Sequence, residues 1–501
     1  MFSDFTRTLT AQLISSYYLS RGISRYSEDF LAPLINATQN FNGVELSRLY
    51  SRNPQENLLA YSRLMSMNVD LYSRYIKGVL ETVDTFSREE WQKIFTALHV
   101  GAINPSSKDL GDFFTRHAEN LRRVIDNYPK TIQAIEPEYG FHFERFPQSL
   151  ILETDRFYLH QVIPSKRGVT TDNALKPLLI IPPFVLGANI LSFLPGEERS
   201  YAHSFANRSI PTYIRILKPI AEHPAVQTMT PEDDAQDTKI FCEKLLSLHG
   251  QQVTLNGYCQ GGFSAICNIL SNTLDGLVDA LITCVTPIDG TRSQGLGKFL
   301  KELPAEFNDL AYGTKTLPNG NKLADGHLMG WIYKLKSIED SGPLTAFYRD
   351  LMMLSPRNGK PAKISKSVAA LNYWLQNERS DLPLPITDMS FRSYNHPISP
   401  EGILPVTLFG KKLDLHALPQ KNIKWLLCYG ESDDLVEKEV ALAPLDFIDV
   451  EVTPFPKGHV AIATSWSHPE SACALDSVFG EDKVRGPVRF QLDLSAEKQE
   501  K

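Results

Sequence analysis

A cysteine stands between glycines in the segment "LNGYCQGGFSAICNIL", Leu255–Leu270. An apolar run that predicts a strand comes before Cys259, and an apolar run that predicts a helix follows it. A strand that turns tightly into a helix needs small residues beside the turn, which accounts for Gly257 and Gly261. The residue at the tip of such a turn is exposed above the sheet, and the helix N-terminus favours its thiolate. The pattern predicts a nucleophile elbow with Cys259 as the nucleophile.

A nucleophile of this kind needs a base, and the base needs an acid that orients it. In a sheet that carries such an elbow, the chain order is nucleophile, acid, histidine. The stretch "WLLCYGESDDLV" places Asp433 and Asp434 after a later apolar strand, and "PFPKGHV" places His459 in the loop after the next one. We predict Asp433 as the acid and His459 as the base. Asp434, and Asp289 in "VTPIDG", are the alternative acids.

Two backbone N–H groups should form the oxyanion hole. One belongs to Gln260, the residue after the nucleophile, and the other to the loop after the "LLII" strand. That loop reads Pro182, Pro183, Phe184, Val185. Because proline has no N–H group, either Phe184 or Val185 must donate, and we prefer Phe184.

The elements that must position these residues follow an alternating pattern from about residue 150. Short apolar strands such as "KPLLIIPP" and "IPTYIRIL" alternate with helical segments such as "PEDDAQDTKIFCEKLLSLHG". Alternation of this kind predicts an α/β fold with a mostly parallel sheet. We predict an N-terminal helical domain over 1–148, a catalytic domain over 149–490 with an inserted helical cap at about 290–405, and a flexible tail over 491–501.

Two helix starts are predicted in the N-terminal region. Asn53 as N-cap, Pro54 at the first helical position and Glu56 at N3 have the spacing of a capping box. Ser87 with Glu90 has the spacing of a second capping box.

Composition narrows the classes of function. The chain has 501 residues and a net charge of −7, and we find no sustained basic stripe, so a nucleic-acid partner is not expected. Its six cysteines include no Cys-x-x-Cys pair, and the histidines lack partners at ligand spacing, so we assign no metal. Pro182 and Pro183 interrupt the longest apolar stretch, and the N-terminus lacks the pattern of a secretory signal. We expect a cytoplasmic protein.

Five segments together resemble the polyhydroxyalkanoate synthases over residues 150–475. They are "PLLIIPPF", "LNGYCQGG", "TPIDG", "FGKKLDLHALPQKNIKWLLCYGESDDLV" and "PKGHVAIAT". The resemblance implies an α/β-hydrolase-like fold in which Cys259, His459 and Asp433 are catalytic. It also implies a hydroxyacyl thioester of coenzyme A as substrate, a polyester chain as product and no separate cofactor. It further implies a homodimer that works on the surface of polyester granules.

The same triad would also serve hydrolysis, so a thioesterase, esterase or intracellular polyester depolymerase is the alternative function. A third hypothesis is a granule-binding protein without catalysis on the same fold. Substitution of Cys259 would leave that third kind of protein unaffected.

Overall fold

The structure is a computed structural model that describes residues 2–51, 53–103, 109–303, 310–355 and 362–499. Parts of the predicted cap, 304–309 and 356–361, and the last two residues of the predicted tail lie outside the described residues. The chain forms two compact units. One is Met1–Pro137 with His327–Tyr373, and the other is Glu138–Gly326 with Trp374–Lys501.

The strands, numbered along the chain, are β1 Leu150–Glu153, β2 Phe157–Gln161, β3 Leu178–Ile181, β4 Thr212–Leu217, β5 Val253–Tyr258, β6 Val278–Cys284, β7 Thr314–Thr316, β8 Lys322–Ala324, β9 Leu382–Pro383, β10 Ile403–Leu408, β11 Lys411–Asp414, β12 Lys424–Gly430, β13 Glu451–Phe455, β14 Val478–Phe479 and β15 Val484–Arg485.

The α-helices are α1 Phe2–Arg48, α2 Pro54–Ile103, α3 Asp109–Arg122, α4 Tyr128–Gln133, α5 Tyr201–Ala206, α6 Pro224–Gln227, α7 Pro231–His249, α8 Gln260–Leu270, α9 Leu296–Glu302, α10 Gly326–Lys336, α11 Ile338–Ser341, α12 Pro343–Met353, α13 Lys366–Asn377, α14 Leu384–Asn395, α15 Ala417–Gln420, α16 Lys438–Ala441, α17 Ala461–Thr464 and α18 Pro487–Gln499.

The central sheet lies in the second unit, and its described strands run in the order β1-β2-β4-β3-β5-β6-β12-β13. Strand β2 is antiparallel to both of its neighbours, and every pair from β4 to β13 is parallel. Strands β3 and β5 are buried along their whole length, as expected for a parallel sheet covered on both faces. This is the strand order of the α/β-hydrolase fold, so the predicted fold class is confirmed.

The two helices beside the nucleophile, α7 and α8, are held in place by helix capping and by a buried ion pair. Helix α7 begins with a capping box between Thr230 and Asp233 and ends at Gly250 in the left-handed region. Inside the unit, Asp234 of α7 pairs with Arg215 of β4 at 2.7 Å and accepts from Asn268 of α8 at 2.9 Å. Helix α8, which begins directly after Cys259, is thereby tied to its neighbours by a buried ion pair.

The first unit is helical and combines two distant parts of the chain. Leu121, Val124 and Ile125 form one buried cluster with Phe347 and Leu351 of α12. A hydrogen bond joins the same two parts of the chain, since Asn120 Nδ2 donates to the Leu351 carbonyl at 3.0 Å. The units therefore differ from the predicted boundaries, since 327–373 was predicted as part of a cap on the catalytic domain.

The two predicted helix starts have different outcomes. Asn53 Oδ1 accepts the Gln55 N–H at 3.1 Å, as an N-cap does. The prediction at Ser87 is wrong, because α2 continues through it to Ile103. Glu90 bonds Lys93 at 2.7 Å instead of turning back to the Ser87 backbone.

The prediction of a flexible tail is wrong for residues 491–499, because these residues belong to helix α18. Gln491 and Leu494 are buried, and the Gln491 amide donates to the Lys176 carbonyl at 2.9 Å. The last residues are polar, but the apolar side chains just before them dock the helix on the unit. Among the described residues, no helix is both long and apolar enough to cross a membrane.

Candidate active site

The turn after β5 has the geometry of a nucleophile elbow. Cys259 has φ 53° and ψ −123°, a backbone conformation that residues other than glycine rarely adopt. Its N–H donates to the Cys284 carbonyl at 2.8 Å, which anchors the turn on β6. A side chain at Gly261 would collide with the Ile181 carbonyl oxygen, and one at Gly257 with the Gly262 backbone. The predicted role of these glycines therefore has a steric cause: strand and helix pass too close for a Cβ atom.

Asp433 lies in the loop after β12, and both of its carboxylate oxygens are hydrogen-bonded. Its Oδ2 is 2.8 Å from His459 Nδ1, and its Oδ1 accepts the N–H groups of Leu435 and Val436, both at 2.9 Å. These backbone donors fix the orientation of the carboxylate. The neighbouring Asp434 is exposed, so the geometry favours Asp433 as the orienting acid.

The other alternative acid, Asp289, is committed to a different task. Its Oδ1 accepts the Thr291 N–H at 3.1 Å, and its Oδ2 lies 3.2 Å from Arg292 Nε. Arg292 also pairs with Asp446 at 2.7 Å. Asp289 therefore caps the short turn that follows β6 and forms an ion pair there, without contacting His459.

The loop that carries His459 is held by neighbouring side chains. The Tyr258 hydroxyl, one residue before the nucleophile, donates to the His459 carbonyl at 3.0 Å. Trp466 Nε1 donates to the Pro456 carbonyl at 2.8 Å. The histidine is thus fixed to β5 on one side and to the segment after α17 on the other.

Electrostatics favour a protonated His459. Burial alone would lower the pKa of the imidazole, but the negative charges of Asp433 and Cys259 and the hydrogen bonds to them raise it well above its ordinary value of 6.5. The Nε2 atom is buried and has no hydrogen-bond partner of normal geometry among the described residues. The side of the ring away from Asp433 is therefore left for the nucleophile and a reacting group.

All three side chains are shielded from solvent, so the predicted exposure of Cys259 above the sheet is wrong. Cys259 is 6% exposed, His459 9% and Asp433 5%. The arrangement can move a proton between a thiol and an imidazole, hold the resulting charge with a carboxylate, and keep water away during that step.

Residues 182–189 form the loop that is predicted to line the oxyanion hole, called the oxyanion loop below. Its two candidate donors, the N–H groups of Phe184 and Val185, differ in their hydrogen bonding. Val185 N–H donates to the side-chain oxygen of Gln260 at 3.1 Å. The Phe184 N–H has no acceptor among the described residues, so Phe184 is the donor available to a ligand. The Gln260 N–H is the first of α8 and has no acceptor within the helix.

Sequence reasoning missed the side chains that contact this loop. Gln260 Nε2 also donates to Ser390 Oγ of α14 at 3.2 Å. Trp374 Nε1 donates to the Leu186 carbonyl at 3.0 Å, and Asn189 Nδ2 donates to Glu378 Oε1 at 2.7 Å. Trp374 and Glu378 are nearly 190 residues away from the loop in the chain, so no local pattern could have indicated these contacts.

Comparisons with known proteins add little to this geometry. No protein-family profile matches the sequence, and no curated protein matches it significantly. A carboxylesterase of Nitrososphaera gargenis aligns at 12% identity over 63% of this chain and 92% of its own, with a TM-score of 0.36. A carboxylesterase of Bacillus subtilis aligns at 10% identity over 67% of this chain and 94% of its own, with a TM-score of 0.32. A meta-cleavage product hydrolase of Pseudomonas fluorescens aligns at 12% identity over 63% and 92%, with a TM-score of 0.32. The fold assignment rests on the strand order of this chain itself.

Proposed function

We propose that this protein is an acyltransferase that resembles the polyhydroxyalkanoate synthases and forms a covalent thioester on Cys259. The observation that supports it is a cysteine at the strained turn after β5, next to a buried His459–Asp433 pair. A serine at this position would form an ester with the acyl group. A cysteine exchanges one thioester for another, so acylation is nearly balanced in free energy and the acyl group stays reactive.

In the proposed first step, the Cys259 thiol gives its proton to His459 Nε2, which forms the thiolate–imidazolium pair that the raised pKa of His459 favours. The thiolate attacks the carbonyl carbon of the acyl thioester, and the N–H groups of Phe184 and Gln260 donate to the oxyanion. The carbon–sulfur bond to coenzyme A then breaks, and the departing thiolate takes the proton from His459. Asp433 keeps Nδ1 protonated and stabilises the imidazolium while it carries that proton.

In the second step, His459 takes the proton of a hydroxyl group on a second hydroxyacyl unit. The resulting oxygen nucleophile attacks the acyl carbon on Cys259, an ester bond forms, and the cysteine leaves as a thiolate that regains the proton. Attack by water instead would give hydrolysis with the same residues. The low exposure of Cys259 and His459 supports transfer, because a shielded thioester meets fewer water molecules.

A homodimer and contact with a polyester granule are part of the same proposal. The first unit supports it with a line of apolar side chains on α2: Leu58, Met65 and Tyr72 recur every seven residues and are 65–69% exposed. Such a line on one helix face is suited to an apolar partner surface. A cytoplasmic location remains a prediction.

The test is the intact mass of the protein after mixing with 3-hydroxybutyryl-coenzyme A, for wild type and Cys259→Ala. We expect an acyl adduct on the wild type only, and a ladder of adducts if units are joined. An adduct that releases only free acid would indicate a hydrolase. Release of coenzyme A at the same rate in both proteins would refute Cys259 as nucleophile.

A further inference from the structure

The oxyanion loop contains no helix or strand up to Ala188, although Phe184 and Val185 are buried. A short 3-10 helix begins at Asn189. Two prolines at its start cannot donate hydrogen bonds. Buried backbone groups outside helices and strands need hydrogen-bond partners from elsewhere, because an unpaired buried polar group destabilises the loop. Side chains distant in sequence provide these partners, and they come from two sides of the loop.

On one side, the Gln260 side chain takes the Val185 N–H. On the other side, Trp374 donates to the Leu186 carbonyl and Glu378 accepts from Asn189. Gly187 lies between these contacts with φ 69°, and a Cβ atom there would lie 2.6 Å from Glu378 Oε2. The carboxylate therefore packs directly against the loop backbone.

We propose that Trp374 and Glu378 are positioning residues that hold residues 184–189 so that the Phe184 N–H stays available to the acyl oxygen. This inference rests on the proposed function, because it assigns the loop to the oxyanion. Neither residue contacts the reacting atoms, so their effect passes through the loop backbone. An N–H donor that moves by about 1 Å can lower a rate by roughly a hundredfold.

The raised pKa of the Glu378 carboxyl group fits a positioning role. Burial raises the pKa of its carboxyl group to about 7, against the opposing effects of the Asn189 hydrogen bond, the Arg379 charge and the Tyr139 hydroxyl. The same carboxylate contacts the loop at two points, at the Asn189 side chain and against the Gly187 backbone. Arg379 lies 5.6 Å from the centre of the Trp374 ring, which joins the two positioning residues into one cluster.

The chain offers a matched control for Trp374. Trp425 is also buried, and its Nε1 donates to Thr283 Oγ1 at 2.9 Å, near the start of β12 and away from the loop. Replacing either tryptophan by phenylalanine removes one buried N–H bond and keeps an aromatic ring. A general loss of stability should therefore affect both variants alike.

The first experiment is single-turnover acylation of Cys259 by 3-hydroxybutyryl-coenzyme A, followed by mass. We expect Trp374→Phe to lower the maximal rate about tenfold to a hundredfold with little change in the half-saturating concentration. Trp425→Phe should stay within about twofold of wild type. Glu378→Gln, which retains an acceptor for Asn189, should keep most of the rate that Glu378→Leu loses. Equal rates for the two tryptophan variants, or for the two Glu378 variants, would overturn the proposal.

A second measurement does not depend on activity. Amide hydrogen exchange of a peptide covering residues 183–190 should become faster in Trp374→Phe and remain unchanged in Trp425→Phe. Unchanged exchange in both would refute a holding role for Trp374. If the wild type forms no acyl adduct, the proposed function fails, while the exchange result still decides whether these residues hold the loop.

Discussion

At the scale of single residues, the carboxylates of Asp433 and Asp434 are neighbours with different surroundings. The first is buried and bonded to His459, and the second is exposed. We expect Asp433→Asn to lower the acylation rate by about 10³–10⁴-fold, because the amide cannot hold the histidine in the required tautomer. The matched variant Asp434→Asn should stay within about twofold of wild type. A large loss in Asp434→Asn, with Asp433→Asn active, would reverse the assignment.

Asp433→Asn should also change how the stability of the protein depends on pH. The folded-state pKa of His459 is raised above its ordinary 6.5, so the folded protein keeps a proton that the unfolded chain releases. That contribution is fully present below pH 6.5 and is lost as the pH rises through the folded-state pKa. Asp433→Asn should flatten this decline in the free energy of unfolding, measured by urea titration over a pH series. A decline as steep as in wild type would indicate that another group causes it.

At the scale of elements, the close approach of β5, α8 and β3 depends on glycine. A Cβ atom at Gly261 would collide with the backbone oxygen of Ile181, which cannot move without disturbing β3. We expect Gly261→Ala to lower the free energy of unfolding by about 1–3 kcal/mol and to abolish acylation of Cys259. Thermal unfolding and adduct mass would measure both effects.

The control for Gly261 is Gly196, which has free space around its Cβ position and no left-handed backbone conformation. Gly196→Ala should therefore leave both stability and acylation close to wild type. If both alanine variants behaved alike, steric crowding at the elbow would not be the reason for its glycines.

At the scale of the whole molecule, the first unit joins the N-terminal helices to residues 327–373. Removing residues 1–137 would expose Phe347 and Leu351, which are buried against Leu121 and Val124. Each such side chain contributes about 1.5–3 kcal/mol when buried. We therefore expect a fragment of residues 138–501 to aggregate, and co-expressed residues 1–137 to restore it to a soluble complex. A soluble, cooperatively unfolding 138–501 fragment would support the predicted boundary at residue 148 instead.

The sequence by itself determined the α/β fold class, and it predicted an elbow at Cys259 and the chain order of acid and histidine. These are local signals: apolar runs, glycines at a tight turn and polar residues directly after buried strands. It favoured Asp433 over Asp434 and Phe184 over Val185 as preferences only, since neighbouring residues share the same local pattern. Only the tertiary structure brings Asp433 to His459 and engages Val185 with Gln260.

Only the tertiary structure reveals the contacts between segments that are far apart in the chain. The grouping of residues 327–373 with the N-terminal helices depends on side chains more than 200 residues apart, and no spacing in the sequence encodes it. The same holds for Trp374 and Glu378 at the oxyanion loop. Periodicity reports which face of an element is buried, but the partner of that face is chosen by the packing of the whole chain.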